Sequence, residues 1–352
     1  MPRKNPVWQA PEKALASMPE VSGNTINGLG ETEPRSTSPF FWHESQFHEF
    51  GEMQKYTLEI MYSLEDGPEI CEAFRINENF NPALGDVAQN RQFIHRGPDS
   101  LEVANERIDK SAEEWTKAVK DFALANQADV VGIARMREEW VYEDFSIDEY
   151  EKTVIVLGVA HDYEEIKEAP SLPGNNRGIV EVGKQYTRAA AAAAELNNFI
   201  RSQGYNTACY PGPTAQALVM TPVAIEAGLG ELGKHGSLIN RELGASFRLS
   251  AVTTDMPLNV DVPDVFGADD FCLRCQVCRD ACPPDAIYDE KQWVRGTQKW
   301  YVDFDKCIPY FAEARGCAIC IAVCPWSLPG VADNLVVKMA RRREKNETKA
   351  ET

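Results

Sequence analysis

Eight of the chain's ten cysteines fall between Cys272 and Cys324, and their spacing constrains the fold more than any other feature. The first run is Cys272-x2-Cys275-x2-Cys278-x3-Cys282-Pro283. The second is Cys317-x2-Cys320-x3-Cys324-Pro325, and Cys307 stands between the two. Evenly spread cysteines would suit a disulfide scaffold, whereas clustering of this kind points to metal. The run C-x2-C-x2-C-x3-C-P is an iron–sulfur spacing. Its short loops let three thiolates face three corners of one cubane, and the thiolate before the proline ligates the other cluster. This rule assigns cluster one to Cys272, Cys275, Cys278 and Cys324. Cluster two is then held by Cys282, Cys307, Cys317 and Cys320, with no cysteine of the group left over. A pair of zinc sites is the weaker reading, because zinc ribbons separate their CxxC pairs and do not need a proline-terminated run. Two clusters make an electron relay, and their position in the C-terminal third implies that they feed something in the rest of the chain.

The 352 residues are enough for about two domains. No run of eighteen apolar residues exists, so stable membrane insertion is not expected. The net charge is −18, with 36 Lys and Arg against 54 Asp and Glu. An acidic surface repels phosphate backbones, which makes nucleic acid an unsuitable main partner. The first residues carry neither an apolar signal core nor a twin-arginine pair, so a cytoplasmic location is expected.

Residues 1 to about 50 read as an irregular arm rich in Pro, Gly, Ser, Thr and Asn, with an aromatic knot at Phe40, Phe41, Trp42, Phe47 and Phe50. Ser111 followed by Glu114 is a capping box that opens a helix running to Gln127. Strand-like runs follow at Asp129–Ala134 and Thr153–Ala160. Val180–Ser202 reads as a long helix with a seam at Tyr186, Ala189, Ala193, Leu196 and Ile200, ended by Gly204. A strand at Asn206–Tyr210, a helix at Thr214–Ala227 and a strand at Ser246–Thr253 complete an α/β sandwich. The expected organisation is an arm and pocket-covering region over 1–110 and an α/β domain over 111–262. A two-cluster ferredoxin-like domain over 263–330 follows, and then a charged tail over 331–352 whose last fifteen residues are expected to be disordered.

The segment Gly228, Leu229, Gly230, Glu231, Leu232, Gly233, Lys234, His235, Gly236 contains GxGxxG. A dinucleotide fingerprint must follow a strand and open a helix, and here a helix-like segment precedes it. The better reading is backbone that must approach something bulky closely. No P-loop is present, nor the D-x-H-x-x-G motif in which a histidine ligates cobalamin.

The stretch AGLGELGKHGSLINRELGASFRLSAVTTDMPL, the eight cysteines after it, and KWYVDFDKC followed by CAICIAVCPW resemble the corrinoid-dependent reductive dehalogenases over about residues 150 to 328. Epoxyqueuosine reductase is the related plan. The resemblance implies a nitroreductase-like α/β body that binds a corrinoid (cobalamin) without a protein histidine on cobalt. Contacts to it are expected from Gly228, Leu229, Gly230, Glu231, Gly233, Lys234, His235 and Gly236. It implies replacement of a halogen of an organohalide by hydrogen. Cob(I)alamin would be the reductant, fed through two [4Fe-4S] clusters by a separate low-potential donor such as a ferredoxin, flavodoxin or reductase.

The resemblance also makes Tyr186, in GKQYTRAA, the proton donor, with Arg248, in SFRLSAV, as the cation that favours its anion. Alternation along a strand lets Arg248 face a pocket while Phe247 and Leu249 pack in the core. Lys184 is a second cation near that place, and Gln216 or Thr214 could supply an amide or hydroxyl. The alanines at 189–194 could let a flat macrocycle lie against the helix. His161 reads as a polar strand end, and His43 and His48 match no metal motif. A tRNA-modifying enzyme and a non-catalytic electron carrier are the alternatives. The first lacks a basic face, and the second needs no α/β body.

Overall fold

The computed structural model describes residues 7–36, 43–44, 49–62, 67–76, 97–143, 145–212 and 217–350. Its centre is a four-stranded antiparallel sheet of β1 (Val130–Arg135), β2 (Thr153–Ala160), β3 (Thr207–Tyr210) and β4 (Phe247–Thr254). The strands lie in the order β1-β2-β4-β3. β2 and β4 pair along their whole length, with Val159 opposite Arg248 and Val156 opposite Ala251.

Alternate side chains of each strand point to opposite faces. Val154, Val156 and Ala251 pack on one face with Trp140, Leu218, Val223 and Leu229. Ile155, Leu157 and Val252 pack on the other with Trp115, Val119, Ala193 and Leu196. With both faces covered, β2 is an almost unbroken apolar run, because neither set of its side chains meets water.

The second face is covered by helices α1 (Ala112–Ala125) and α2 (Arg177–Ser202). Helix α1 begins at the expected capping box: the Ser111 side chain accepts from the Glu114 amide, and the Glu114 carboxylate accepts from the Ser111 amide. Helix α2 starts three residues before the expected Val180 and ends at Ser202, just before Gly204, whose φ is +83°. There a Cβ would lie 2.5 Å from the Glu106 carbonyl oxygen, so the close passage of residues 104–108 requires glycine. The alanine run does not leave a bare face for a macrocycle: Ala189, Ala190, Ala192 and Ala193 are buried against the chain itself. Helix α3 (Met220–Glu226) and the glycine run cover the first face. The expected helix over 214–227 is thus helical only in its second half among the described residues, and Thr214 and Gln216 lie outside them.

The cysteine-rich part contains α4 (Ala268–Cys272), a hairpin of Gln292–Val294 with Thr297–Lys299, and α5 (Phe304–Glu313). The described part of the N-terminal arm lies along it. The Gly30 amide donates to the Trp293 carbonyl at 2.7 Å, Asn24 donates to Asp303 at 2.8 Å, and Ala14 packs on Ile308 and Ala312. Phe40, Phe41, Trp42, Phe47 and His48 lie outside the described residues.

The C-terminal segment corrects the expectation of disorder. Residues Ala332–Ala350 form helix α6, and Met339, Leu335 and Val336 pack against Phe266 and Trp326. The charged residues hid a short apolar seam, which is enough to dock a helix that would be marginal alone.

Candidate active site and cluster ligands

Tyr186 lies on the third turn of α2, and Arg248 lies near the start of β4, on the face that meets α2. The Arg248 Nη1 donates to the Tyr186 hydroxyl oxygen at 3.3 Å. The guanidinium carbon also sits 4.5 Å from the centre of the Tyr186 ring, a cation–π contact. The other side of the fork is held as well, since Arg248 Nε donates to His161 Nε2 at 3.1 Å. Because Nε2 accepts, Nδ1 of that imidazole carries the proton and donates to Ser246 Oγ at 3.1 Å. Burial, and then the Arg248 cation, hold His161 well below the ordinary histidine range, so the neutral form this network needs is favoured.

His161 is therefore more than the polar strand end expected from its place after β2. It is buried and fixes the arginine. No sequence signal marks it, because its partner is 87 residues away in the chain. Among the described residues no carboxylate pairs with Arg248, so its charge remains directed at the tyrosine. The Tyr186 ring packs at 5.9 Å from Phe74. Lys184 is exposed and lines a cleft of about 520 Å³ with Glu69, Glu72, Arg75 and Arg188.

This pair stands next to the cysteine-rich part. Tyr186 packs beside a cluster that includes Val182, Ile179 and Ala322, and the Tyr163 hydroxyl donates to the Ala322 carbonyl at 3.4 Å. From His161 the path continues through Ser246 to Ala245, whose amide donates to Ser327 Oγ at 3.1 Å. The Ser327 amide in turn donates to the Cys324 carbonyl at 2.9 Å.

The seven cysteines of the two runs and Cys307 are free of disulfides. Burial pushes Cys272 and Cys278 up to about 12, and for Cys272 the nearby Cys324, Cys278 and Cys275 act in the same direction. Cys317 is likewise raised to about 12 by burial, with Cys282 adding to it, and Cys307 is raised by burial and then by Cys317 and Cys282. Cys320 is raised by burial first, and then by Cys317, Cys307, Cys278 and Cys282. These effects do not divide the thiols into the two expected groups, since Cys320 of one group feels Cys278 of the other. Buried thiolates crowded in this way need metal to offset their charge.

The glycine run joins the sheet to this domain, and its close approaches are to the chain's own atoms. A Cβ at Gly230 would lie 2.0 Å from the Ile239 carbonyl oxygen, and one at Gly228 2.6 Å from that of Val262. Gly233 faces His235, Gly236 faces Val302, and Leu229 packs in the sheet core. The Glu231 carboxylate accepts from the backbone amides of Phe266, Gly267 and Ala268 at 2.9, 2.6 and 2.8 Å, at the start of α4. The Lys234 amide donates to Cys272 Sγ at 3.4 Å. His235 is pushed down to about 4 by burial. Its Nδ1 accepts from the Ser237 amide at 3.1 Å, while its Nε2 has no hydrogen-bond partner among the described residues.

A family model described as a 4Fe-4S dicluster domain matches residues 271–328. A tetrachloroethene reductive dehalogenase of Desulfitobacterium hafniense is 35% identical over 213 residues, covering 56% of this chain and 37% of the relative. One of Dehalobacter restrictus is 35% identical over 276 residues, covering 62% of this chain and 49% of the relative. The chain is a relative of the reductive dehalogenases. It spans less than half the length of these reductive dehalogenase relatives. An epoxyqueuosine reductase of Leadbetterella byssophila is also similar, at 36% over 121 residues, covering 30% of this chain and 35% of the relative.

Among solved structures, the fold matches that of a reductive dehalogenase described in connection with B12-dependent dehalogenation. The TM-score is 0.62 at 20% identity, over 92% of this chain and 46% of that one. It also matches a catabolic reductive dehalogenase in complex with 3-bromo-4-hydroxybenzoic acid, with a TM-score of 0.59 at 21% identity over 85% and 42% of the two chains. The mixed α/β fold with a C-terminal 4Fe-4S domain is thus shared with reductive dehalogenases. Among the described residues, no helix is long and apolar enough to cross a membrane.

Proposed function

We propose that the chain carries out reductive dehalogenation, in which an organohalide, two electrons and one proton give the hydrogen-substituted product and free halide. The observation that carries this reading is the Arg248 guanidinium bonded to the Tyr186 hydroxyl, next to the segment that holds the cysteines. Tyr186 would supply the proton from its hydroxyl. Its oxygen accepts from Arg248, so its own hydrogen points away from the arginine, and among the described residues it meets no acceptor. Arg248 would then hold the phenolate and keep the halide side of the site positive, which lowers the cost of both developing charges. His161 would keep the fork of Arg248 in place.

Cluster one would be held by Cys272, Cys275, Cys278 and Cys324, and cluster two by Cys282, Cys307, Cys317 and Cys320. The buried His235 Nε2, a donor without an acceptor among the described residues, fits a bound group with acceptors such as a corrinoid's amide-bearing rim. When bound, a corrinoid supplies a strongly reducing metal centre for breaking the carbon–halogen bond. Gly228, Leu229, Gly230, Glu231, Gly233, Lys234 and Gly236 would support that site mainly by fixing the segment that carries His235. The electrons would come from a separate low-potential donor protein of the ferredoxin, flavodoxin or reductase kind, and a cytoplasmic location suits such donors.

The test is anaerobic turnover with a chemically reduced low-potential donor over a panel of chlorinated and brominated alkenes and phenols, reading free halide. Halide release that requires added cobalamin and intact clusters supports the reading. A protein carrying about eight irons and cobalamin that releases no halide from any member of the panel would contradict it.

A further inference from the structure

Lys234 was expected to touch a corrinoid, yet the structure turns it towards the cysteines. The residue is only 1% exposed. Its Nζ lies 3.3 Å from Gln276 Oε1, between Cys275 and Cys278, and 4.9 Å from the centre of the Trp300 ring. Its backbone amide reaches Cys272 Sγ at 3.4 Å. Among the described residues no carboxylate pairs with it. The acid nearest in the network is Asp269, which accepts from the Trp300 indole at 2.6 Å and from Lys291 at 2.7 Å. A buried ammonium with only an amide oxygen and a ring face beside it needs an anion to offset the cost of leaving water. Its charge acts on Cys278, whose anion it favours, and its partner Gln276 stands between Cys275 and Cys278 in the chain.

We infer that Lys234 is a fixed counter-charge for cluster one, and that it raises the reduction potential of that cluster selectively. Adding an electron to a four-thiolate cluster makes it more negative, and a nearby buried cation favours the reduced form. Cluster potentials are set by net charge, hydrogen bonds to sulfur and exposure. The Lys234 side chain acts through the first of these, and its backbone amide through the second. The inference rests on the two-cluster reading of the eight cysteines.

The experiment is a redox titration followed by EPR on protein with its iron counted. The signal altered in Cys275→Ser identifies cluster one. Lys234→Met keeps the length and the backbone amide but removes the charge. It should move the cluster-one step to lower potential by at least a tenfold change in the reduced-to-oxidised ratio, about 59 mV for one electron, and leave the other step in place. Lys234→Arg keeps the charge and should stay near the wild-type value. If Lys234→Met and Lys234→Gln fail to assemble cluster one while Lys234→Arg assembles it, the counter-charge role is supported through iron content. The inference is overturned by an unmoved cluster-one step in Lys234→Met, by equal shifts in the Met and Arg variants, or by equal loss of iron in all three. Wild-type protein without iron–sulfur signals would instead contradict the two-cluster reading.

Discussion

Arg248 touches Tyr186 in two ways at once: its Nη1 donates to the phenol oxygen at 3.3 Å and its guanidinium carbon stands 4.5 Å from the ring centre. Both contacts hold a fixed positive charge beside the phenol group. Tyr186→Phe keeps the ring, its packing on Phe74 and the cation–π contact, and removes only the proton. Turnover should fall by about 10²–10⁴, with iron and cobalamin content near wild type. Halide release at the wild-type rate would assign the proton to another source.

His161→Leu removes the acceptor for Arg248 Nε, whereas His161→Gln retains one. A misplaced catalytic group can cost roughly 10²-fold in rate. The Leu variant should therefore lose activity on that scale, and the Gln variant should recover most of it. Equal activities in the two variants would show that Arg248 is held by other contacts.

The same histidine makes stability depend on pH. Its folded pKa lies well below the unfolded value near 6.5, because of burial and Arg248. Below pH 6.5 the unfolded chain binds the extra proton, so this contribution is intact above that pH and is lost as the pH falls. The loss is up to about 1.4 kcal/mol per pH unit. Unfolding of wild type and His161→Gln compared between pH 8 and pH 5 should show the wild type losing more. Parallel curves would exclude the imidazole as the cause.

Cys282→Ser should damage the cluster that Cys317 and Cys320 hold and spare the one held by Cys272, although Cys282 is only four residues from Cys278. Iron analysis should show loss of about half the iron, with the cluster-one EPR signal kept. Loss of the Cys272 cluster instead would invert the assignment.

Glu231→Gln should weaken the joint between sheet and cluster domain. The carboxylate receives three amides at 2.6 to 2.9 Å. Hydrogen bonds to a charged group are worth about 1.5–3 kcal/mol each, although one replacement does not lose all of them. We expect a loss of roughly 2–3 kcal/mol in urea unfolding, together with faster iron loss. Met339→Ala tests the other support of this domain. Met339 is 1% exposed, and truncating a buried methionine costs about 2–5 kcal/mol. An unchanged midpoint would mean that α6 does not stabilise the domain.

The sequence alone determined what depends on local geometry. Loop lengths between cysteines dictate which thiolates can reach one cubane. The apolar run of β2, the capping box of α1 and the alternation around Arg248 were legible for the same reason, since a strand or a helix repeats its pattern within a few residues. The tertiary structure decided the partners. His161 meets Arg248 because β2 and β4 pair with Val159 opposite Arg248, a register fixed by packing on both faces of the sheet. Glycines that read as a cradle for something bulky came to face Ile239 and Val262, and Glu231 and Lys234 turned to α4 and Cys272. A tail that reads as mostly charge docks through Met339, because a few buried side chains outweigh composition once a complementary surface is present. Such contacts join residues tens of positions apart, and they exist only after the chain has folded, so no spacing in the sequence encodes them.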